Sequence, residues 1–386
     1  MTVVHLITGL RAGGAETMLS KVVIGMDRGL FRNVVVSMTD LGKIGAVLRD
    51  AGIPVKALGM RRGLPDPRGL PRLLGLLRGE RPAVLQTWLY HADLLGLVAA
   101  RLGGAPRVAW NLRCSNMEMR HYSRLSQMLP KALAWLSPLP DAVVVNSLAG
   151  RAFHEGLGYR PKRWEFIGNG FDLERFRADA GARARLGQAL DLPADAVVFG
   201  HVARFDPMKD HAGLLRAAAR LLEARPQARL VLVGDDADPA NPALARDVAA
   251  LGLTGKVHLL GHRDDVAAVT SGFDVAVSSS LSEGFPNAVG EAMACGVPCL
   301  VTDVGDCALV VGDGGRVVPP ADPVALAEAA RELIDLGEAG RRRLGEAARR
   351  RIEAEFSLPV IVRRYEDFYR TLACGAVCGR TRPCAA

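Results

Sequence analysis

Ser280-Leu281-Ser282-Glu283-Gly284-Phe285-Pro286-Asn287-Ala288-Val289-Gly290-Glu291-Ala292-Met293-Ala294-Cys295-Gly296-Val297-Pro298 is the stretch around which the chain is organised. Pro286 suits the first position of a helix, because the N–H it lacks would have no intrahelical partner there. Alanine, valine and methionine carry the helix for a few turns to Gly296, a favourable left-handed terminator, and Pro298 blocks any extension. The first amides, on Asn287, Ala288 and Val289, have no carbonyl to bond within the helix. They stand at the positive end of its macrodipole, where phosphate binds readily. Glu283, in the preceding loop, and Glu291, in the second turn, can both approach that helix mouth. Carboxylates do not bind phosphate; beside a phosphate site they accept hydrogen bonds from hydroxyls, such as those of a ribose and a sugar. The combination points to a nucleotide sugar. A plainer reading has Glu283 complementing the dipole and Glu291 as a solvated helix residue.

Outward from this stretch, strands and helices alternate. Strands are expected at 197–202, 229–233, 257–260, 275–278, 298–301 and 315–318, and in an earlier series at about 2–8, 33–38, 53–58, 83–87, 107–111 and 142–146. That is the pattern of parallel sheets covered by helices on both faces. We therefore expect an α/β chain of two Rossmann-like, doubly wound domains, at 1–170 and 196–356. A polar, Ala/Arg-rich link at 171–195 is expected between them. A last amphipathic helix at 357–373 is expected to cross back to the first domain, and a disordered tail follows at 374–386.

Arg204 and Lys209 lie in the loop after the first strand of the second series. At a sheet's C-terminal edge two cations five apart can grip a diphosphate from the side opposite the Pro286 helix, although two ordinary surface cations would leave the same mark. Asp236-Ala237-Asp238 matches a D-x-D metal motif, but it sits in an acidic, Pro-bearing loop and reads equally as a turn. The Arg/Lys pair and the helix end already supply the positive charge a metal would bring, so neither metal nor cofactor is expected. In the first domain Gly13-Gly14 follows a strand and opens a helix. This is neither a dinucleotide fingerprint nor a P-loop, but it lets a ligand approach the backbone closely. His91 follows a strand end, where α/β ligands usually bind. Met117, Met119, His121, Tyr122 and Met128 lack a clean period and form a candidate mobile acceptor loop.

Across 386 residues, 49 Lys and Arg face 41 Asp and Glu. The excess belongs to residues 1–170, where 23 basic side chains meet 11 acidic ones. A basic half suggests an anionic partner. Arg61, Arg62, Arg68, Arg72, Arg78 and Arg81 surround Leu70, Leu73, Leu74, Leu76 and Leu77, the composition of a basic amphipathic helix on an anionic membrane; a surface helix with its leucines in the core reads the same way. The arginines at 341–343 and 349–351 alternate with glutamates and read as a solvated face, without the interleaved aromatics of a nucleic-acid site. Seven cysteines without metal-ligand spacing read as reduced thiols. The sequence goes directly into an apolar run at Val3–Ile7, so no leader is expected, and no apolar run is long enough to span a bilayer. A cytoplasmic enzyme, peripheral at most on the inner membrane face, is expected.

Gly13-Gly14-Ala15-Glu16, Val145-Asn146-Ser147, Ile167-Gly168-Asn169-Gly170-Phe171-Asp172, Arg204 with Lys209, and Glu283 through Glu291 together resemble the retaining glycosyltransferases of family four. The most specific piece is Glu-Gly-Phe-Pro-Asn-Ala-Val-Gly-Glu, an E-x7-E signature, and the resemblance spans nearly the whole chain. It implies a GT-B architecture, two Rossmann-like domains facing an interdomain cleft, with a nucleotide-sugar donor, by family habit UDP-linked, held mainly by the second. Carried over by motif, Arg204 and Lys209 contact the diphosphate and the amides of Asn287, Ala288 and Val289 join them. Glu291 takes the ribose hydroxyls, Glu283 a donor-sugar hydroxyl, and Phe285 lies in the same signature. Gly13 and Gly14 bring backbone to the phosphate and acceptor, and Leu260 to Arg263 border the base. Many relatives carry a His where Trp88 stands here, leaving His91 as the nearby histidine of a His-Ala-Asn/Asp pattern. The implied reaction is transfer of a hexose with retention to a lipid-linked or glycan acceptor in cell-envelope polysaccharide or glycolipid synthesis. A GT-B epimerase and a non-catalytic nucleotide-sugar sensor are the alternatives.

Overall fold

Runs such as Val3-Val4-His5-Leu6-Ile7 and Val34-Val35-Val36 are buried along their whole length, as strands of a parallel sheet with helices on both faces must be. The computed structural model describes residues 1–11, 13–61, 66–113 and 124–375, without the side chains of 124–127. These divide into two compact units: Met1–Gly170 with the described residues from Leu358 onward, and Phe171–Ser357.

In the first unit β1 (Thr2–Ile7), β2 (Arg32–Ser37), β3 (Val55–Ala57), β4 (Val84–Trp88), β5 (Val108–Leu112), β6 (Ala142–Val145) and β7 (Trp164–Phe166) form one sheet. Its order is β3-β2-β1-β4-β5-β6-β7 and every pairing is parallel. β7 was not among the expected strands; three half-buried residues give no apolar run to read. One face carries the helices Gly14–Gly25, Gly42–Asp50 and Leu358–Cys374, which share a core with β1 and β2. The other carries Gly69–Glu80, Tyr90–Ala99 and Arg124–Leu136.

Of the two readings of the arginine-rich helix the one with its leucines in the core holds, and the start of the final helix needs correction. The arginine-rich helix spans Gly69–Glu80, and its leucines are not available to a bilayer. Leu73 and Leu77 are fully buried, and Leu70, Leu74 and Leu76 pack against the same cluster. The final helix begins at Leu358 rather than 357, after the turn Ile352–Phe356, and buries Ile361, Val362, Tyr365, Phe368, Tyr369 and Leu372 in the first unit's core.

The second unit contains β8 (Val197–Val202), β9 (Ala228–Val233), β10 (Val257–Leu259), β11 (Val275–Ser278), β12 (Cys299–Thr302) and β13 (Gly315–Val318), in the order β10-β9-β8-β11-β12-β13, again all parallel. The strand order reverses between β8 and β11, and in such sheets ligands bind outside the carboxyl ends at that switch point. The 171–195 segment, expected as a link, is a packed part of this unit. Phe171 and Phe176 are buried, the Phe171 N–H donates to Phe356 O at 2.9 Å, and Arg183 in the helix Ala182–Ala189 pairs with Asp274 at 3.1 Å. Two phenylalanines anchor a stretch whose polar, Ala/Arg-rich composition suggested exposure.

Met117, Met119, His121 and Tyr122 lie outside the described residues, as do Arg62 and the tail residues 376–386. No helix among the described residues is long and apolar enough to cross a membrane.

Candidate functional site

The loop after β8 is shaped by two aspartates. Asp206 accepts the Met208 N–H at 2.9 Å and opens the turn Pro207–Lys209. Asp210, in the left-handed region, accepts the Gly213 N–H at 2.9 Å and caps the helix His211–Ala224. Lys209, between these caps, has a fixed backbone, and its Nζ reaches Glu283 Oε1 at 2.5 Å. The Ser280 hydroxyl donates to the same oxygen at 2.6 Å. Arg204 is exposed and pairs with Asp206 at 3.1 Å. The Met208 amide and then Arg204 hold the Asp206 carboxyl below the usual range, so it stays ionised.

The loops that follow β8, β11 and β12 are tied into one block. Leu281 N–H donates to Met208 O at 2.8 Å, Ser279 Oγ to Lys209 O at 2.8 Å, and Thr302 Oγ1 to Ser280 O at 2.6 Å. Asp306 N–H donates to Gly284 O at 3.0 Å. Gly305 beside it has φ +57°, and a Cβ there would fall 2.3 Å from Glu283 O, so only glycine lets the β12 loop lie against the backbone that carries Glu283.

The helix at the heart of the sequence reading spans Asn287–Ala294. It starts one residue later than expected: Pro286, with ψ 87°, is its cap rather than its first turn. The first intrahelical bond runs from Gly290 N–H to Pro286 O at 3.2 Å, so the amides of Asn287, Ala288 and Val289 precede the ladder. Gly296, at φ +75°, follows the far end.

These pieces enclose a pocket of about 340 Å³. Its wall includes Arg204, Lys209, Glu283, Phe285 and Asn287 through Val289. Phe285 is buried, stacked on Phe171 at 6.2 Å and edge-on to Phe356 at 5.5 Å, which fixes the turn into the helix. His201 also lines the pocket. Its Nδ1–H donates to Val277 O at 2.8 Å, and burial pushes its pKa to about 4, so it is a neutral ring.

Not every expected residue comes to the pocket. Glu291 is half-buried one turn along the helix and is not part of the wall. Leu260 to Arg263 follow β10 and are also outside it; there His262 Nδ1 lies 2.6 Å from Asp235 Oδ1. Asp236-Ala237-Asp238 is a turn, with Asp236 at φ 60° and Asp238 accepting the Ala240 N–H at 2.8 Å.

Gly13, Gly14 and His91 belong to the first unit. Gly14 opens the helix Gly14–Gly25, and the space where its Cβ would point is open. A Cβ on Gly13 would meet the Glu16 carboxylate at 2.4 Å. His91 stands in the first turn of Tyr90–Ala99 with part of its surface in solvent, and crowding by the surrounding chain desolvates the ring enough to lower its pKa. It follows Leu89, at φ 72° and ψ 154°, a conformation that non-glycine residues adopt only under local constraint. Trp88 is buried, donating from Nε1 to His5 Nδ1 at 3.4 Å. Arg113, which sequence reasoning missed, lies over the Trp88 ring and donates to Asn169 and, at 3.4 Å, to the Tyr365 hydroxyl. The Asn169 position within Ile167-Gly168-Asn169-Gly170 was the available signal.

Two Rossmann-like units of all-parallel sheet, the second with a pocket at its switch point, are the GT-B architecture. Family comparison makes the class specific. The model described as Glycosyltransferase Family 4 matches residues 12–175, and that described as Glycosyl transferases group 1 matches residues 196–335. The chain belongs to glycosyltransferase family 4. It is 29% identical to the Bacillus subtilis putative glycosyltransferase EpsF over 78% of this chain and 79% of that protein. With the Escherichia coli UDP-Gal:alpha-D-GlcNAc-diphosphoundecaprenol alpha-1,3-galactosyltransferase it shares 27% identity over 62% of this chain and 63% of that enzyme. The fold is similar to that of Anabaena Alr3699/HepE, crystallised in complex with UDP, with TM-score 0.82 and 23% identity over 96% of this chain and 100% of that one.

Proposed function

We propose that this glycosyltransferase moves a hexose from a nucleoside-diphosphate sugar, with UDP as the nucleotide, to an acceptor hydroxyl with retention at the anomeric carbon. The observation that carries the reading is the convergence of Lys209, Arg204 and the Asn287–Val289 amides on one pocket. In retaining transfer without a protein nucleophile, the diphosphate leaves and the acceptor attacks from the face it vacates. Negative charge grows on the departing oxygen, and fixed donors aimed there lower the barrier, typically by about 3 kcal/mol for one key donor. Lys209 has three N–H donors, so it can keep Glu283 with one while offering others to phosphate. Glu283, held by Lys209 and Ser280, takes a donor-sugar hydroxyl, and Gly13, Gly14 and His91 serve the acceptor side.

For the acceptor we propose a lipid-linked or glycan molecule of envelope polysaccharide or glycolipid synthesis, reached at an anionic membrane surface. The name of the E. coli relative, a galactosyltransferase acting on a diphosphoundecaprenol-linked sugar, and the basic first half support this. A thermal-shift panel of nucleotide sugars tests the donor, since a ligand that binds only the folded state raises its melting temperature. The anomeric configuration of product made from the best donor tests retention. Product formed without any acceptor would favour the epimerase, and binding without consumption would favour the sensor.

A further inference from the structure

Resting on the lipid-linked acceptor reading, we propose that the outer surface of the helices Tyr90–Ala99 and Arg124–Leu136 is the face on which the first unit lies against an anionic bilayer. Large apolar side chains stand in water there. Trp135 is 91% exposed, Met128 68% and Leu102 54%. They belong to two stripes of helical period. Leu94, Val98 and Leu102 follow one another at four-residue steps along the first helix and the turn Ala100–Gly104 that continues it. Met128, Ala132 and Trp135 run along the second, with Leu139 just beyond. The two helices pack against each other, and Arg101 Nη2 donates to Leu139 O at 3.2 Å, which joins the ends of the stripes. Soluble surfaces rarely leave such stripes side by side unless something covers them.

The charge around the stripes selects the occupant. Arg101 and Lys131 are exposed within the patch. Beyond Leu102, a groove of about 710 Å³ is lined by Arg78 and Arg81, with Leu77, Pro82 and residues 103–106. None of these four cations is ion-paired among the described residues, although neighbouring Arg107, Arg32 and Lys56 all have carboxylate partners. Cations without carboxylate partners around an exposed Trp and aliphatic stripes are the composition of a surface that sits at the headgroup level of a bilayer and prefers anionic lipid. The leucines of Gly69–Glu80 are in the core, so that helix contributes only its arginines.

The full-length chain, mixed with phosphatidylcholine vesicles with and without phosphatidylglycerol, gives the test. Trp88 and Trp110 are buried and Trp164 half-buried, so a change in tryptophan emission on vesicle addition reports on Trp135. Wild-type protein should float with the phosphatidylglycerol vesicles, shift its emission to the blue and be quenched by brominated lipid. Trp135→Ser with Met128→Ser should weaken partitioning about tenfold or more, a loss of the size expected for removing two interfacial anchors. Arg101→Glu with Lys131→Glu should remove the preference for phosphatidylglycerol. All variants should keep the wild-type thermal shift with UDP, which separates loss of binding from loss of folding. Equal flotation of the Ser variant and the wild type would overturn this face while leaving membrane association intact. Absence of wild-type flotation with donor turnover preserved would overturn the bilayer as occupant without touching sugar transfer. A wild-type dimer in sedimentation that Trp135→Ser dissociates would overturn it in favour of a second copy of the chain.

Discussion

At Glu283 one carboxylate oxygen receives two donors, Lys209 Nζ at 2.5 Å and Ser280 Oγ at 2.6 Å, and both side chains of the ion pair are largely enclosed. Removing Lys209 takes away a donor to the pocket and leaves Glu283 with Ser280. We expect Lys209→Ala to lower kcat on the order of a hundredfold, the usual effect of losing one key charge-stabilising donor. Glu283→Gln retains an oxygen for Ser280 but loses the charge that orients Lys209, and should also cost most of the turnover. Steady-state donor consumption, with a melting curve for each variant, checks both; near-wild-type turnover in the two would contradict the assignment. Much of this pair was legible in the sequence, because a carboxylate before a Pro-started helix and two cations after a strand each have few uses. Ser280 was not, since a serine carries no pattern until the backbone places it. Glu291, assigned to the ribose by its place in the E-x7-E motif, lies one turn along the helix from the pocket wall.

The helix Asn287–Ala294 depends on a contact remote in sequence. A Cβ on Gly290 would fall 2.0 Å from the Phe171 ring, so the helix sits where it does only because glycine lets the ring close on it. Gly290→Ala should destabilise the fold by about 1–3 kcal/mol, the cost of overpacking a closed site, and Phe171→Leu should recover part of it. Urea unfolding of the single and double variants measures this; additive losses would argue against the contact. The ends of this helix could be read from Pro286 and Gly296. The packing of 171–195 could not, because two buried phenylalanines among alanines and arginines become visible only when the partner elements are in place.

At the scale of the whole molecule, alternation of strand and helix made both sheets legible and left out only β7, whose three half-buried residues carry no period. Each unit also carries buried histidines with no sequence signal. Burial pushes the pKa of His5, His154 and His201 from 6.5 to about 4 and of His211 to about 3. Below 6.5 the unfolded chain takes up protons that the folded chain refuses until about pH 4, so these groups lose stability as pH falls through that window. Asp93 has the opposite sign, because burial raises its pKa and the folded state keeps its proton. His91 and His258, also lowered, add to the four, and His262, raised by Asp235, joins Asp93; with six groups against two the melting temperature should fall between pH 6.5 and about 4, and a flat or rising profile in calorimetry would contradict it. Removing the chain from Leu358 onward would strip six buried side chains from the first unit's core, and should abolish its cooperative melting transition.

The measurement that bears most directly on the account is a crystal structure with UDP soaked in. The diphosphate should lie within hydrogen-bonding distance of Lys209 Nζ and of the amides that open the Asn287–Ala294 helix, with Arg204 turned toward it. A diphosphate bound elsewhere, or a helix mouth closed over by its own side chains with UDP excluded, would contradict it.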